Sequence, residues 1–403
     1  MTETLKTACF IGGALALAVA AGVVQPEHHT AAVFNDEGQA FYPDFKDPQA
    51  VKAIEVVDYD ESTATARPLK VEFRDKRWLI ASNNDYPIDV GDRMVKTSAA
   101  LMDLHKDRVK SDRVQDEAKF GVIDPLDQKE ASLQGRGKRV TLRDAQKNIL
   151  ADFIFGKAVE GKSGWRYVRV PGEKRTYAVK TDADPSARFA DWVNAGLLRM
   201  PTSNIRKVTI ASYSVDESSG TLDQGETVTL TQDSGKWSSP GGAVVESAAR
   251  AMAATLDSLK ITGARAKPRE MAEDLRSGQM RLSAATAEAL HQFGFLLSQT
   301  GRIFASDGEM TVEMANGVAY QIRFGDAAST SDAAKAASGG DRYIFVTTTW
   351  NSERAAGYGD KTDAGQKASS DLNWRFADWF YIIGNADFQK LRLTKKDLLR
   401  TDP

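Results

Sequence analysis

The sequence predicts an α+β fold: two tandem homologous domains of antiparallel strands and amphipathic helices, preceded by one N-terminal transmembrane helix. Three observations predict it. A nearly unbroken apolar stretch from Ala8 to Val24 opens the chain. After it, a set of short motifs recurs in one order, the mark of an internal repeat. Between the motifs, strand-like runs cluster together instead of alternating regularly with helices, which favours antiparallel over parallel sheets.

The apolar stretch ends at Gln25-Pro26. Its roughly 17 residues, at about 1.5 Å each, span about 26 Å, close to the minimum for a bilayer core. Lys6 and the α-amine precede it, and no Lys or Arg follows until Lys46. The positive-inside tendency therefore puts the N-terminus in the cytoplasm and the bulk of the chain outside, in the periplasm of a single-pass cytoplasmic-membrane protein. The competing reading is a cleaved signal peptide, because Ala18-Val19-Ala20 resembles a small-x-small cleavage site. Cys9 lies at the front of the run, which argues against a lipoprotein site. The expected division is 1–25 anchor, 26–47 linker, 48–200 first repeat domain and 201–403 second repeat domain.

The repeat rests on six features. Ile54–Tyr59 is echoed by Val208–Tyr213. Each leads to a hairpin ending in a tryptophan, Trp78 and Trp237, and then to an amphipathic helix, over Val90–His105 and Val244–Leu259. Phe155-Gly156-Lys157 is matched by Phe324-Gly325-Asp326, and Arg166-Tyr167-Val168 by Arg342-Tyr343-Ile344. Finally Arg188-Phe189-Ala190-Asp191-Trp192 recurs unchanged as Arg375-Phe376-Ala377-Asp378-Trp379. The spacing of the aromatic and aliphatic residues reads this pentapeptide as a helix closing each copy, N-capped by Ser186 and Asn373. Arg188 with Asp191, and Arg375 with Asp378, are then i,i+3 surface pairs. Hairpins are expected over Val140–Phe155 and Trp165–Val179. Two polar, glycine-containing segments near 327–340 and 351–371 have no counterpart in the first copy and read as flexible insertions.

Composition bounds the function. Of 403 residues, 42% are hydrophobic and 27% charged, as in globular proteins. The 53 basic and 55 acidic residues nearly cancel, and no basic run stands out, so nucleic acid is set aside as a partner. With Cys9 the one cysteine, the remainder has no disulfide, thiolate metal site or cysteine nucleophile.

No catalytic, cofactor or metal site is expected. The four histidines are His28, His29, His105 and His291, and none sits at ligand spacing with other donors or beside a serine motif. Gly135-Arg136-Gly137-Lys138-Arg139 lacks the Gly-Lys-Ser/Thr of a phosphate loop and leads into a strand, so it reads as a basic turn. Alternation splits Arg166 and Arg169 onto opposite faces, against a single basic patch.

Phe120–Pro125, Phe155–Lys157, Arg166–Arg169 and Thr176–Val179 resemble the repeat signature of the bacterial "domain of unknown function 4340" family. Phe293–Phe295, Gly308-Glu309, Tyr320–Gly325 and Arg342–Val346 resemble it too, although the second copy has no equivalent of Asp124-Pro125. The resemblance implies a membrane-anchored extracytoplasmic protein, auxiliary to a gliding-motility-type ABC transporter, and implies no catalytic residue. The expected function is thus a non-catalytic accessory or scaffold protein. The alternatives are a binding module for an envelope glycan or lipid headgroup, and a hydrolase with an unrecognised site.

Overall fold

A computed structural model describes residues 36–88, 93–193, 197–198, 200–216, 221–278, 281, 283–328 and 340–400. The apolar N-terminal stretch, His28-His29 and most of the 327–340 segment lie outside the described residues. Among those described, no helix is long and apolar enough to cross a membrane.

The first half forms β1 (Ala53–Asp60), β2 (Thr65–Arg74), β3 (Arg77–Ile80), β4 (Tyr86–Ile88), helix α1 (Arg93–Met102), β5 (Arg108–Ser111) and the short helix α2 (Glu117–Phe120). Then come β6 (Lys138–Arg143), β7 (Ile149–Ala158), β8 (Trp165–Arg169) and β9 (Thr176–Lys180). These nine strands make one sheet, ordered β4-β3-β2-β1-β6-β7-β8-β9-β5. The second half forms β10 (Ile205–Asp216), β11 (Thr221–Asp233), β12 (Lys236–Ser238), α3 (Glu246–Ser258), β13 (Ile261–Ala266), α4 (Arg269–Ser277) and α5 (Ala284–His291). A small hairpin follows, β14 (Phe295–Leu297) with β15 (Ile303–Ala305), then β16 (Glu309–Met314), β17 (Val318–Ala327) and β18 (Arg342–Trp350). Helices α6 (Ser352–Gly357) and α7 (Ala364–Ala377), strand β19 (Trp379–Ile383), and helices α8 (Asn385–Leu391) and α9 (Lys395–Leu398) complete it. The second sheet is ordered β12-β11-β10-β16-β17-β18-β19-β13.

All the strand pairs are antiparallel, and the fold is α+β as expected. Without β4, the two orders coincide position for position. In each sheet a three-strand meander leads to a helix, the helix leads to the strand at the far edge, and the chain returns to the middle. The helices obey one rule. Met94, Ser98 and Leu101 of α1, and Ala249, Met252, Ala253 and Leu256 of α3, lie on the inward faces. One apolar cluster from Phe41 to Leu399 joins both halves. At the junction Tyr86 packs its ring on Phe189 at 5.2 Å and Trp379 at 4.9 Å, while Asn84 Nδ2 donates to Ala264 O at 3.1 Å.

The matched motifs occupy matched places. β7 bulges between Phe155 and Ala158, and β17 between Phe324 and Ala327. Over each bulge lies a Phe-Gly turn, with Gly121 at φ +70° and Gly294 at φ +79°, which a side chain would strain. A Cβ on Gly156 would meet Phe120 O at 2.4 Å, and one on Gly325 would meet Phe293 O at 2.2 Å. Phe120 stacks on Tyr167 at 4.5 Å and Phe293 on Tyr343 at 4.6 Å. Arg166 and Arg342 donate to the carbonyls of Gly156 and Gly325. One buried arginine accompanies each bulge, on opposite strands of the same cross-strand pair: Ile154 faces Arg169, whereas Arg323 faces Phe345. Arg169 reaches Glu117 at 3.1 Å and Val122 O at 3.0 Å; Arg323 donates to Ile303 O at 2.8 Å.

Two expectations are overturned. The pentapeptide is not a closing helix. Phe189–Asp191 is a single 3-10 turn after β9, in which Ser186 Oγ donates to Asp191 instead of capping a helix. Its second occurrence ends α7 and begins β19, the strand that matches β9, so the two lie at different topological places. Trp379–Ile383 is a short apolar run rich in aromatic and β-branched residues, for which helix and strand spacings are ambiguous. It becomes a strand because pairing with β18 on one edge and β13 on the other satisfies its backbone inside the core. Asn373 lies within α7, clasping both backbone groups of Thr348. The 351–371 segment is helical, not loose: Asn351 caps α6, and α7 buries Gly365, Ser369 and Phe376.

Because backbone oxygens close over both bulge glycines, Gly156→Ala and Gly325→Ala are each expected to cost about 1–3 kcal/mol. Urea unfolding followed by circular dichroism measures this; a change below about 0.5 kcal/mol at both positions contradicts the packing described.

Candidate functional site

An open groove of about 710 Å³ lies on the second half. Its floor is the β16–β17 turn, with Met314, Asn316, Val318 and Tyr320. One wall is the α7 face carrying Ala368, Asp371, Leu372 and Arg375, which follow i, i+3, i+4, i+7. The other wall is Tyr358-Gly359-Asp360 after α6, and Pro201 with Asn204 closes one end. The groove exists because of α6 and α7. In the first sheet the link from β8 to β9 is a tight turn at Pro171-Gly172, whereas from β18 to β19 it holds two helices.

The walls are fixed from behind. Arg354 Nε donates to Gly317 O at 3.0 Å, and Trp350 Nε1 to Asn316 O at 3.1 Å. Tyr358 OH donates to Glu313 at 2.7 Å, and burial together with that carboxylate raises the phenol's pKa. Gly317 and Gly365 lie where a Cβ would strike backbone, which lets α6 and α7 approach the turn. Such a lining, apolar below and polar at the rim, suits a chain-like ligand held by a few anchors.

A second cavity of about 510 Å³ opens between the halves. Arg77, Asn84, Asp85 and Pro87 line it from the first sheet; Lys267, Arg269, Glu273, Arg276, Asp378 and Trp379 line it from the second. Lys267 is buried behind it. Its Nζ donates to Phe376 O and Trp379 O, both at 2.8 Å, and lies 4.4 Å from the Phe345 ring centre. Its backbone N–H donates to Asp378 O at 2.8 Å. Burial pushes its ammonium down to about 7, opposed by the Asp378 charge.

The residues singled out from sequence fall into three places. Gly156, Gly325, Tyr167 and Tyr343 pack the two bulges. Trp78 and Trp237 lie on matched strands, Trp78 against Phe73 at 5.3 Å and Trp237 in the core. The pentapeptides meet at the junction. Phe189, Trp192 and Phe376 are buried there, Arg93 lies over Trp192 at 4.7 Å, and Arg188 pairs with Asp191 at 2.9 Å as expected. The second pair is not formed: Asp378 binds Arg276, and Arg375 faces the groove. The pairing fails because α7 ends at Ala377 and the chain leaves the helix at Asp378 for β19, which puts Asp378 in the cleft lining.

The basic turn is satisfied internally. Arg136 donates to the carbonyls of Ser132, Asp124, Asp127 and Glu130, and Arg139 pairs with Asp124 and Asp152. His105 is exposed, 2.8 Å from Asp103 O. No cluster of three or more His, Cys, Asp or Glu is placed to hold a metal ion among the described residues. Sequence reading missed Lys267, Trp374 and the groove; a lysine closing the strand Ile261–Ala266 just before Pro268 was the available signal.

Residues 78–272 match the family model described as Domain of unknown function (DUF4340), the family the motifs resemble. The match runs from β3 to α4, across the junction, and is narrower than the stretch of motifs after residue 48. No curated protein and no solved structure matches the chain.

Lys267 makes stability depend on pH. Below pH 7 its ammonium is charged folded and unfolded, and the burial penalty is full. Between about 7 and 10.5 only the unfolded chain holds the extra proton, so raising the pH favours the folded state. Above 10.5 the effect is complete. Urea titrations across that window are expected to give a contribution rising by about 1.4 kcal/mol per pH unit, absent in Lys267→Met. An identical slope in the variant refutes it.

Proposed function

With residues 78–272 matching DUF4340, we propose that this chain is a non-catalytic accessory or scaffold protein, held at the outer side of the cytoplasmic membrane by its N-terminal segment and acting with an ABC-type export complex. Its two sheets are proposed to be copies of one ancestral domain. Their coincident strand order and matched bulges support that reading.

The observation that carries the scaffold reading is the α6–α7 insertion. It turns one copy of a repeated sheet into a walled groove, while the corresponding link in the other copy stays a turn. Elaborating one connection on a rigid scaffold is how repeated folds gain a binding surface. The occupant proposed is a polypeptide segment of a transporter subunit. It would set an apolar side chain against Met314 and Val318 of the floor and Leu372 of the α7 wall, and polar groups against Asn204, Asn316 and Asp360. The export partner itself follows from the family resemblance.

Ala368 lies on the groove face of α7, half-buried at the margin of the core, so Ala368→Trp fills the groove. Cross-linking in intact cells, gentle detergent extraction and mass spectrometry are expected to recover permease and ATPase subunits with the native chain. Recovery should fall by about tenfold, ~1.4 kcal/mol, with Ala368→Trp. Equal recovery with both, or none beyond a control bait sharing the N-terminal segment, refutes the docking role.

A further inference from the structure

We propose that the cleft between the two sheets is a binding site for an acidic sugar, a uronate or sugar phosphate, distinct from the groove and independent of the scaffold reading. Three arginines line it, Arg77, Arg269 and Arg276, against three carboxylates, Asp85, Glu273 and Asp378, while Lys267 is buried behind them on two backbone carbonyls. Asp85 is paired with Arg74 at 2.5 Å, so its carboxylate is neutralised from outside the cleft. The pair Arg269–Glu273 is an exposed i,i+4 contact, with the arginine side chain 91% exposed. Such pairs contribute only a few tenths of a kcal/mol, so this guanidinium turns to an incoming anion at little cost.

Beside the cleft stands Trp374, at 60% the most exposed large hydrophobic side chain among the described residues. The Arg276 guanidinium lies 5.0 Å from its ring centre and holds the indole in place. Arg276 thus belongs both to this platform and to the cleft, and its Nε, buried, has no acceptor among the described residues. An open indole face carries negative charge at its centre and accepts the polarised C–H groups of a pyranose ring. Asp378 holds the Arg276 guanidinium, so a ligand carboxylate or phosphate falls to the forks of Arg77 and the exposed Arg269. Asn84 adds an amide to the wall. A ring with hydroxyls and one anionic group meets all three features; an inorganic anion would leave the indole unused, and a neutral sugar the arginines.

The test uses the full chain in detergent and titration calorimetry with trigalacturonate at low ionic strength. A neutral galactose trisaccharide is the control, and sedimentation with phosphatidylglycerol vesicles is a separate arm. Trigalacturonate is expected to bind and the neutral sugar not to. Trp374→Ala, an exposed position whose loss leaves the circular dichroism unchanged, should weaken binding about tenfold. The double variant Arg77→Ala/Arg269→Ala should weaken it similarly and flatten its salt dependence. Absence of trigalacturonate binding at millimolar concentration, equal affinity in the Trp374→Ala protein, or association with vesicles alone each overturns the proposal.

Discussion

Three hydrogen bonds from one lysine hold the corner at which α7 becomes β19. Lys267 gives its backbone N–H to Asp378 O and its ammonium to Phe376 O and Trp379 O. A helix that stops inside a core leaves carbonyls without partners, and a buried unpaired carbonyl costs about 1–3 kcal/mol. The lysine meets that need from the neighbouring strand, over the faces of Phe345 and Phe380. The arrangement fixes where the helix ends, and therefore where both cavities lie: Arg375 faces the groove, while Asp378 and Trp379 line the cleft.

The same corner explains why two identical pentapeptides fold differently. After β9 the first lies at the junction, outside either sheet, and closes as one 3-10 turn, its Trp192 Nε1 donating to Ser186 O at 2.8 Å. The second is drawn between β18 and β13, and the Phe-Ala-Asp-Trp run is divided between helix and strand. Local sequence is equal in the two places; the available hydrogen-bond edges are not. Tertiary pairing overrides periodicity most easily in short apolar runs of this kind.

The bulges make the opposite case. There the sequence pattern and the structure agree, because the motif is short and its physics is local. A glycine lets a Phe-Gly turn cross the strand, an aromatic pair covers it, and an arginine binds the glycine carbonyl. The buried arginine next to the bulge lies on β8 in the first half and on β17 in the second, with one cation and one apolar residue in each cross-strand pair. In each half the charge is held by a backbone carbonyl, Val122 O or Ile303 O, although a different strand supplies it.

By itself the sequence determined the α+β class, the two hairpins of the first sheet, the inward faces of α1 and α3, and the matched glycines and tyrosines at the bulges. These follow from periodicity and from conformations that only glycine adopts freely, and both are written in neighbouring residues. Only the tertiary structure decided that Trp379–Ile383 is a strand, that 351–371 is a pair of helices walling a groove, and that Trp374 and Arg276 stand beside a cleft between the halves. Each depends on partners tens of residues away or more, such as Gly317 for Arg354 and Arg276 for Asp378. No local spacing encodes which edges and surfaces such segments meet once the two sheets have closed on one core.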